Sequence, residues 1–450
     1  MIEIILSLVV VVGVGYCIAK KFNTTIALFA GGIVLLIAAA LLNHTILDPK
    51  ATSGNNYLDI FKTIENLFLK NLGNIGLTIM TLFGYSSYMT KIGANDKTVT
   101  LLTKPLLGFK YQYALIPFIF LLGNLMSLVI PSASSLGILL MATMFPILTR
   151  LNISPLAAGG VIATTATIMP TPLGADNVIA AETFNMSIVD YVIKHAKISI
   201  PALLIMAIVH YIWQRYLDKK EGFSNVELKL ENENVKRIND APTGYAILPL
   251  LPLILVLIIN LGLPEIKFGL ISITFVCFIF AGIIEFVRNK DINIWSKNIQ
   301  SFFDGMGSGV ANVVSLLVGA TTLVEGLKAL GIVDMITNSV KELNGAGAIM
   351  IISFSLVTLL IGFIAGGGLS VFYATVALLP SIAMAAGIEA YQIALPMQMV
   401  ANLGRSISPV AAVIVIISST MKVSPIKLIK RTSVPVLVGI IVCMILAFIV

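Results

Sequence analysis

One segment decides how this chain folds: Ala401-Asn402-Leu403-Gly404-Arg405-Ser406-Ile407-Ser408-Pro409. Apolar residues flank it on both sides, so without the interruption residues 388–417 would form one membrane-crossing helix. An arginine at the centre of such a helix costs roughly 2.5–3.5 kcal/mol on insertion scales, and it therefore normally has a partner or a function. Secondary transporters place their binding sites at broken helices of this kind. The segment predicts a binding site at membrane depth.

The composition is that of a polytopic membrane protein. Of 450 residues, 58% are hydrophobic and 11% are charged, whereas soluble domains carry about 25% charged residues. The net charge of +7 comes from basic residues in short loops, which indicates a topology signal and no nucleic-acid partner. The cysteines have no ligand spacing, and His44, His195 and His210 fall in predicted loops, arms or span ends. We therefore expect an all-α membrane protein without disulfide or metal site.

The chain follows one plan twice. Residues 1–216 form a first repeat, the polar segment 217–243 is a linker, and residues 244–450 form a second repeat. In each repeat a hairpin, a broken span, an amphipathic arm and a closing span follow one another. Such an internal repeat is typical of secondary transporters. Separate short amphipathic arms are predicted at 191–197, 292–303 and 424–431.

Two hairpins and two broken spans are the interrupted elements of this plan. The turn 131–135 is too short to connect spans that emerge on opposite sides of a membrane, so its hairpin is predicted to be re-entrant. The turn 366–368 forms the second hairpin. The hairpins lie near 114–148 and 349–383, and the broken spans lie near 155–184 and 388–417.

Basic residues predict the orientation in the membrane. Most of the 29 Lys and Arg residues fall on one side if the N-terminus lies outside, and such a bias marks the cytoplasmic side. Both termini are then periplasmic or extracellular, and the linker 217–243 is cytoplasmic. The two repeats are inverted, with the first hairpin entering from the cytoplasm and the second from outside.

The interruption around Arg405 has the chemistry of an anion site. Unwinding the helix frees backbone N–H groups, and the half-helix that follows directs its positive end at the gap. The Arg405 guanidinium fits a carboxylate at two points. We expect neutral hydrogen-bonding groups beside it from Asn402, Gly404, Ser406 and Ser408. The alternative is that Arg405 only forms a structural ion pair with Asp176.

A second interruption, 170–177, matches the first. Its prolines prevent continuous helical hydrogen bonding, and Gly174 permits the close approach of another group. Thr171 and Asn177 can donate to a second carboxylate. Asp176 has two roles open to it: a proton carrier if it is neutral, or a counter-ion if it lies beside Arg405.

The hairpin tips are small and polar. Serine hydroxyls in the first tip and bare glycine backbone in the second would allow a ligand to approach closely. The same residues could instead serve only to turn the chain tightly. The candidates for ligand contact are Ser132, Ser134, Ser135, Gly367, Gly368 and Ser370.

Two motifs resemble those of the DcuC-type anaerobic C4-dicarboxylate carriers, which belong to the ion transporter superfamily of inverted-repeat elevator carriers. They are Pro131-Ser132-Ala133-Ser134-Ser135-Leu136-Gly137, followed by Leu140-Met141-Ala142-Thr143, and Asn402–Pro409. The resemblance covers essentially the whole chain. It implies an elevator-type transporter of the bacterial inner membrane that exports or exchanges succinate, fumarate or malate. It also implies coupling to protons and a homodimer, with no cofactor.

Other functions are less consistent with the sequence. The same fold could carry another organic anion, such as citrate or an amino-acid derivative, or work as a sodium-coupled dicarboxylate importer. Related sodium-binding carriers have asparagine–threonine signatures at the hairpin tips, and neither tip here has one. The chain has no HExxH motif and no polar segment long enough for a catalytic domain, so we do not expect an enzyme.

Overall fold

The protein is helical throughout the part of the chain that its computed structural model describes: residues 2–103, 113–128, 130, 132–222, 241–263 and 265–449. Within these residues there is no strand, and ten helical stretches are long and apolar enough to cross a membrane. The all-α polytopic class is therefore confirmed. Residues 223–240 of the expected linker and Pro131 of the first tip lie outside the described residues.

Eleven α-helices lie in the described residues of the first half, in chain order. They are α1 (Ile2–Ala19), α2 (Thr24–Leu41), α3 (Asn56–Asn71), α4 (Leu77–Lys91), α5 (Ala94–Thr103), α6 (Leu115–Met126), α7 (Ala133–Thr143), α8 (Phe145–Arg150), α9 (Pro155–Ile162), α10 (Ala175–Thr183) and α11 (Ile188–Lys220). A π-helical turn, Leu72–Gly76, joins α3 to α4. Residues 163–174, between α9 and α10, are the first break.

The described residues of the second half are likewise mainly helical. Its helices are α12 (Leu251–Leu257), α13 (Leu270–Asn289), α14 (Ile292–Gly309), α15 (Ser315–Ala329), α16 (Ile332–Lys341), α17 (Ala346–Ala365), α18 (Leu369–Thr375), α19 (Leu379–Ala385), α20 (Ala390–Gly404), α21 (Ala412–Thr420) and α22 (Pro425–Ala447). A π-helical turn, Val310–Val314, joins α14 to α15, as in the first half. Residues 405–411, between α20 and α21, are the second break. Re-entry of the hairpins and inversion of the repeats stay predictions.

The separate amphipathic arms were predicted wrongly. Each arm is the first part of a longer helix: α11 continues through Pro201, α22 continues through Pro435, and α14 reaches α15 through its π turn. Each arm has a buried face, which includes His195 in α11, Asn298 in α14 and Arg431 in α22, so the change from polar to apolar composition does not require the helix to end. A membrane-spanning helix can contain a proline, because neighbouring helices provide partners for the backbone groups that the proline leaves unpaired.

The first break begins earlier than the prolines suggest. Helix α9 ends at Ile162, and Asp176 already lies in the first turn of α10. The Thr164 and Thr165 hydroxyls donate to the carbonyls of Val161 and Ile162 at 2.8 and 2.7 Å. Because such side-chain bonds compete with the helical ladder, the threonine run ends the helix before the prolines are reached.

Two helix pairs pack with almost no side chain between them. A Cβ atom on Gly32 of α2 would lie 2.5 Å from the Leu323 nitrogen of α15, and one on Gly84 of α4 would lie 2.7 Å from the Phe302 oxygen of α14. Small residues allow membrane helices to approach in this way. The pairs α2–α15 and α4–α14 form one group of helices. The second group contains both breaks and includes α9, α10, α11, α20, α21 and α22, which contact one another.

A buried charge cluster joins α11 to α22 within that second group. The Arg431 side chain is 2% exposed, and its guanidinium contacts Asp218 Oδ1 and Glu221 Oε2, each at 2.5 Å. The Tyr113 hydroxyl donates to Asp218 Oδ2 at 2.7 Å, and Ser154 at the start of α9 donates to Oδ1 at 2.6 Å. The cluster therefore connects the closing helices of both halves.

Glu221 adds a pH-dependent contribution to this cluster. Burial raises its pKa, but hydrogen bonds from Lys430 and the charge of Arg431 outweigh burial and hold the pKa below its usual value. A carboxyl group of this kind stabilises the fold above its unfolded-state pKa of 4.5. The contribution is lost as the pH falls through the lower folded-state value.

Candidate functional site

A cavity of about 970 Å³ lies between the two breaks, the two hairpin turns and the α4–α14 pair. Most of the residues predicted for ligand contact line it, although they come from four separate segments of the chain. They are Ser132, Ser134, Ser135, Thr171, Gly174, Asp176, Asn177, Gly367, Gly368, Asn402 and Arg405. The fold thus brings both breaks and both tips to one cavity.

Four of the predicted residues do not line the cavity. Ser406 donates to the Ala163 oxygen at 2.9 Å and Ser408 to the Phe363 oxygen at 2.6 Å, while Ser370 donates to the Gly367 oxygen at 3.2 Å. Gly404 faces Leu359 of α17. Successive residues of a helical turn point about 100° apart, so Arg405 can face the cavity while Ser406 faces the first break.

Arg405 binds the first break directly. Its Nη2 atom donates to the carbonyl oxygen of Ala166, and among the described residues it makes no ion pair with Asp176. Ala166 has a φ of 55°, in the left-handed region that non-glycine residues rarely adopt. The guanidinium therefore supports a strained carbonyl and leaves its remaining donors near the cavity wall.

Asp176 is held by the second half of the chain without Arg405. Its Oδ2 atom accepts from Asn402 Nδ2 at 2.9 Å, and its Oδ1 atom accepts from the Asn177 backbone at 3.1 Å. Both oxygens act as acceptors, so neither contact needs a carboxyl proton. The ion pair that the sequence left open is not formed in this structure.

Both polar atoms of the Asn177 side chain are hydrogen-bonded within the protein. Its Nδ2 atom donates to the Thr171 oxygen at 2.8 Å, and its Oδ1 atom accepts from Gln398 at 2.6 Å. Gln398 in turn accepts from the Tyr191 hydroxyl at 2.8 Å. Sequence reasoning missed Gln398 and Tyr191, although a glutamine inside the apolar run of α20 was a usable signal. Asn177 thus positions the first break against α20 and α11.

Three helices begin at the cavity wall. Ala133, Ala175 and Ala412 are the first residues of α7, α10 and α21, and all three line the cavity. Gly174 and Ala411 precede α10 and α21 and provide no side-chain cap. Uncapped N–H groups at a helix N-terminus attract anions. Together with Arg405 they make this side of the cavity suited to a carboxylate.

The opposite wall contains polar residues that the sequence prediction missed. They lie on one face of α4 and on one face of α14 and its π turn, at the spacing of three or four residues that a helix face requires. That spacing inside an apolar segment was the available signal. The residues are Ser86, Ser87, Thr90, Lys91, Ser301, Asp304, Ser308 and Asn312.

His195 also lines the cavity, contrary to its predicted place in a separate arm. It lies inside α11, is 2% exposed, and its Nδ1 atom is 3.0 Å from the Ser199 hydroxyl. His210 is likewise buried in α11, and its Nε2 atom is 3.0 Å from Thr164 Oγ1. Within the described ranges, no group of three or more His, Cys, Asp or Glu residues could hold a metal ion.

The glycines of the second tip differ in what surrounds them. Gly366 has a φ of 85°, and a Cβ atom there would lie 2.9 Å from the Val410 oxygen. A Cβ atom on Gly368 would lie 2.7 Å from the Ala401 backbone, whereas one on Gly367 would meet nothing within 4 Å. Close packing therefore explains Gly366 and Gly368, and Gly367 alone of the three faces open space.

We expect Gly366→Ala to lower the free energy of unfolding by roughly 1–3 kcal/mol, because the left-handed backbone and the Val410 contact are both violated. Gly367→Ala is the matched control for the fold, and it should leave the unfolding transition unchanged. Its methyl group enters the cavity, so ligand affinity should fall severalfold. Thermal unfolding and ligand-binding measurements on both variants check this; equal destabilisation would contradict the assignment.

Sequence comparisons agree with one another over the whole chain. A sequence model of the C4-dicarboxylate anaerobic carrier family matches residues 2–450. The anaerobic C4-dicarboxylate transporter DcuC of Escherichia coli K12 is 38% identical over 443 residues, covering 98% of this chain and 95% of that protein. A probable anaerobic C4-dicarboxylate transporter DcuC of Vibrio cholerae is 37% identical over 448 residues, covering 98% and 96%.

Two solved transporters share the fold. One is Neisseria gonorrhoeae MtrF, whose structure is described as illuminating a class of antimetabolite efflux pumps. It superposes with a TM-score of 0.66 at 17% identity, covering 97% of this chain and 96% of that one. The YdaH transporter of Alcanivorax borkumensis superposes with a TM-score of 0.62 at 15% identity, covering 94% and 97%. At such low identity the likeness concerns the fold alone.

Proposed function

This chain belongs to the C4-dicarboxylate anaerobic carrier family, and we propose that it exports or exchanges succinate, fumarate and malate through the cavity between its two breaks. It is a multi-pass transporter of the inner membrane and not an enzyme. The observation that supports the substrate class is the combination of Arg405 with the N-termini of α10 and α21, which have no side-chain cap, at one cavity. Such a wall stabilises carboxylates at membrane depth.

Movement by an elevator mechanism is part of this proposal. The two breaks are fastened to each other by hydrogen bonds from Arg405, Ser406 and Asn402, so they would move as one unit. Their contact with α4 is apolar, with Leu82 packed against Leu173 and Val178. An apolar contact can slide because no hydrogen bonds must break. The α4–α14 pair would then be part of the stationary scaffold.

The remaining features of the proposal follow the family resemblance. Inverted repeats 1–216 and 244–450, joined by a cytoplasmic linker, would present the cavity alternately to the two sides. Both termini would be periplasmic, two copies would form a homodimer, and protons would drive transport, with sodium as the alternative ion. The Asp176 carboxylate would serve as a fixed counter-charge near Arg405.

A substrate panel in proteoliposomes tests the proposed function. We expect unlabelled fumarate and malate to exchange with trapped radiolabelled succinate at rates within about tenfold of succinate itself. Citrate and glutamate should exchange at least about tenfold more slowly, since one extra charged group costs several kcal/mol when it is left unpaired in a buried site. The readout is labelled succinate lost per minute, with protein-free vesicles as the control.

Other outcomes would change the proposed function. Preferential exchange of citrate or an amino-acid derivative would identify a carrier of another anion on the same fold. An absolute need for sodium would replace proton coupling. Conductance without saturation or counterflow would indicate a channel and exclude alternating access.

A further inference from the structure

His195 is a titratable side chain on the cavity wall to which none of the features above gives a role. It enters the wall from α11, a helix that carries none of the predicted ligand-binding residues. The ring is 2% exposed, and its one hydrogen-bonding contact within the described residues joins Nδ1 to the Ser199 hydroxyl at 3.0 Å. That contact leaves Nε2 free to bind a proton or a ligand at the cavity.

The charged side chains on the cavity wall do not neutralise the two negative charges of a dicarboxylate. The basic lining residues are Arg405, His195 and Lys91, and the acidic ones are Asp176 and Asp304. Lys91 and Asp304 are exposed on the α4–α14 wall, so near the breaks Asp176 already offsets Arg405. The helix N-termini carry only partial positive charges, so a dianion placed there still needs a further positive charge, because uncompensated charge at membrane depth is costly.

From this charge balance we propose that His195 is a proton-binding residue of the cavity, and that its imidazole takes up one proton when a dicarboxylate binds. Histidine is the side chain whose charge changes most readily near neutral pH. The proton comes from water on the side to which the cavity is open, and it leaves with the substrate on the other side. The inference rests on the proposed function, because it needs a dianionic substrate.

The groups that surround His195 are compatible with this role. Helices α6 and α9, which pack beside α11, carry no titratable side chain. The titratable groups that share the cavity wall with His195 near the breaks are Asp176 of α10, Tyr373 of α18 and Arg405. On α11 itself Tyr191 and Lys194 lie within one turn, and the Lys194 ammonium lies over the Tyr391 ring of α20, 4.1 Å from its centroid; α22, which packs against α11, carries Cys443. Burial disfavours a charged imidazole while the cavity is empty, whereas the carboxylate of Asp176 favours a proton on it.

A matched control lies on the same helix. His210 is as deeply buried as His195, but it contacts Thr164 and stacks near Phe120 with ring centroids 4.9 Å apart. It does not line the cavity. Fifteen residues of helix place the two histidines roughly 22 Å apart. A His210→Gln variant therefore carries the same chemical change without touching the cavity.

Proton uptake by the full-length protein in proteoliposomes tests the proposal. Fumarate is the probe, because both its carboxyl groups stay ionised between pH 6 and 8. In the wild type we expect fumarate addition to cause uptake of a proton, and the affinity for fumarate to weaken about tenfold per pH unit above the titration midpoint. In His195→Gln both the pH slope and that proton should be lost, whereas His210→Gln should keep them.

The outcomes separate this inference from the proposed function. Fumarate exchange by the wild type with no proton uptake, or a wild-type pH slope in His195→Gln, would overturn the role of His195 and leave the dicarboxylate carrier intact. No exchange of any dicarboxylate by the wild type would overturn both. If His195→Gln does not fold, the same measurement on Ser199→Ala tests the proposal. Removing the hydroxyl that contacts Nδ1 must shift the midpoint of the pH dependence of fumarate affinity. An unchanged midpoint would refute the proposal.

Discussion

Arg405→Ala lowers the rate of succinate exchange in proteoliposomes by about 30-fold or more. Removing one member of a buried, hydrogen-bonded charge pair costs roughly 2–5 kcal/mol, and each 1.4 kcal/mol corresponds to about a tenfold change. Arg405 is the basic residue of the breaks that lines the cavity, and its Nη2 atom also supports the Ala166 carbonyl. Both the carboxylate site and the geometry of the first break depend on it.

Two further variants make this prediction specific. Arg405→Lys keeps the charge but loses the two-point geometry, so its exchange rate should lie between those of the wild type and Arg405→Ala. Arg215→Ala is the control, because Arg215 is an exposed arginine of α11 whose guanidinium donates to the hydroxyl of Tyr211 on the same helix. Exchange at the wild-type rate in Arg405→Ala, with an unchanged unfolding transition, would remove Arg405 from the substrate site.

Asp218→Asn lowers the free energy of unfolding by roughly 3–5 kcal/mol, because it leaves the buried Arg431 guanidinium with only one of its two acidic partners. The replacement keeps the size of the side chain but removes its charge and one of the two oxygens that accept from Tyr113, Ser154 and Arg431. Denaturant unfolding of the purified protein in detergent is the measurement. Since the cluster lies outside the cavity, the fraction that stays folded should still bind succinate.

Lys430→Ala provides the comparison for this cluster. Lys430 contacts Glu221 at 2.7 Å, but its side chain is 51% exposed. Exposed ion pairs contribute about 0–1 kcal/mol, so this variant should unfold almost like the wild type. Equal effects of Asp218→Asn and Lys430→Ala would mean that burial of Arg431 does not set the strength of the cluster.

Prediction from the sequence succeeded where local chemistry decides the structure. The arginine, glycine and proline residues at 401–409 interrupt an apolar run, and α20 does end at Gly404. The prolines at 170 and 172 likewise mark a stretch without helix. Prediction failed where tertiary packing lets a helix continue, as in α11, whose buried face runs without a break through the polar segment before Pro201.

The candidate site shows the same division between local and long-range effects. Arg405, Asn402 and Asp176 were identified as polar residues at membrane depth, and all three line the cavity. Ser406 and Ser408 had the same chemistry along the chain, but the direction of the helical turn points their hydroxyls at the carbonyls of Ala163 and Phe363. The role of a hydroxyl depends on which acceptor the fold places next to it.

By itself, the sequence determined the membrane class and the existence of both breaks, and it predicted an anionic ligand. These properties depend on hydropathy, on prolines without N–H groups and on one arginine among apolar residues, all of which act within a single segment. Only the tertiary structure decided that Asp176 pairs with Asn402, that His195 reaches the cavity and that Arg431 binds Asp218. Those contacts join residues far apart in the chain, and helix packing, which no single segment encodes, brings them together.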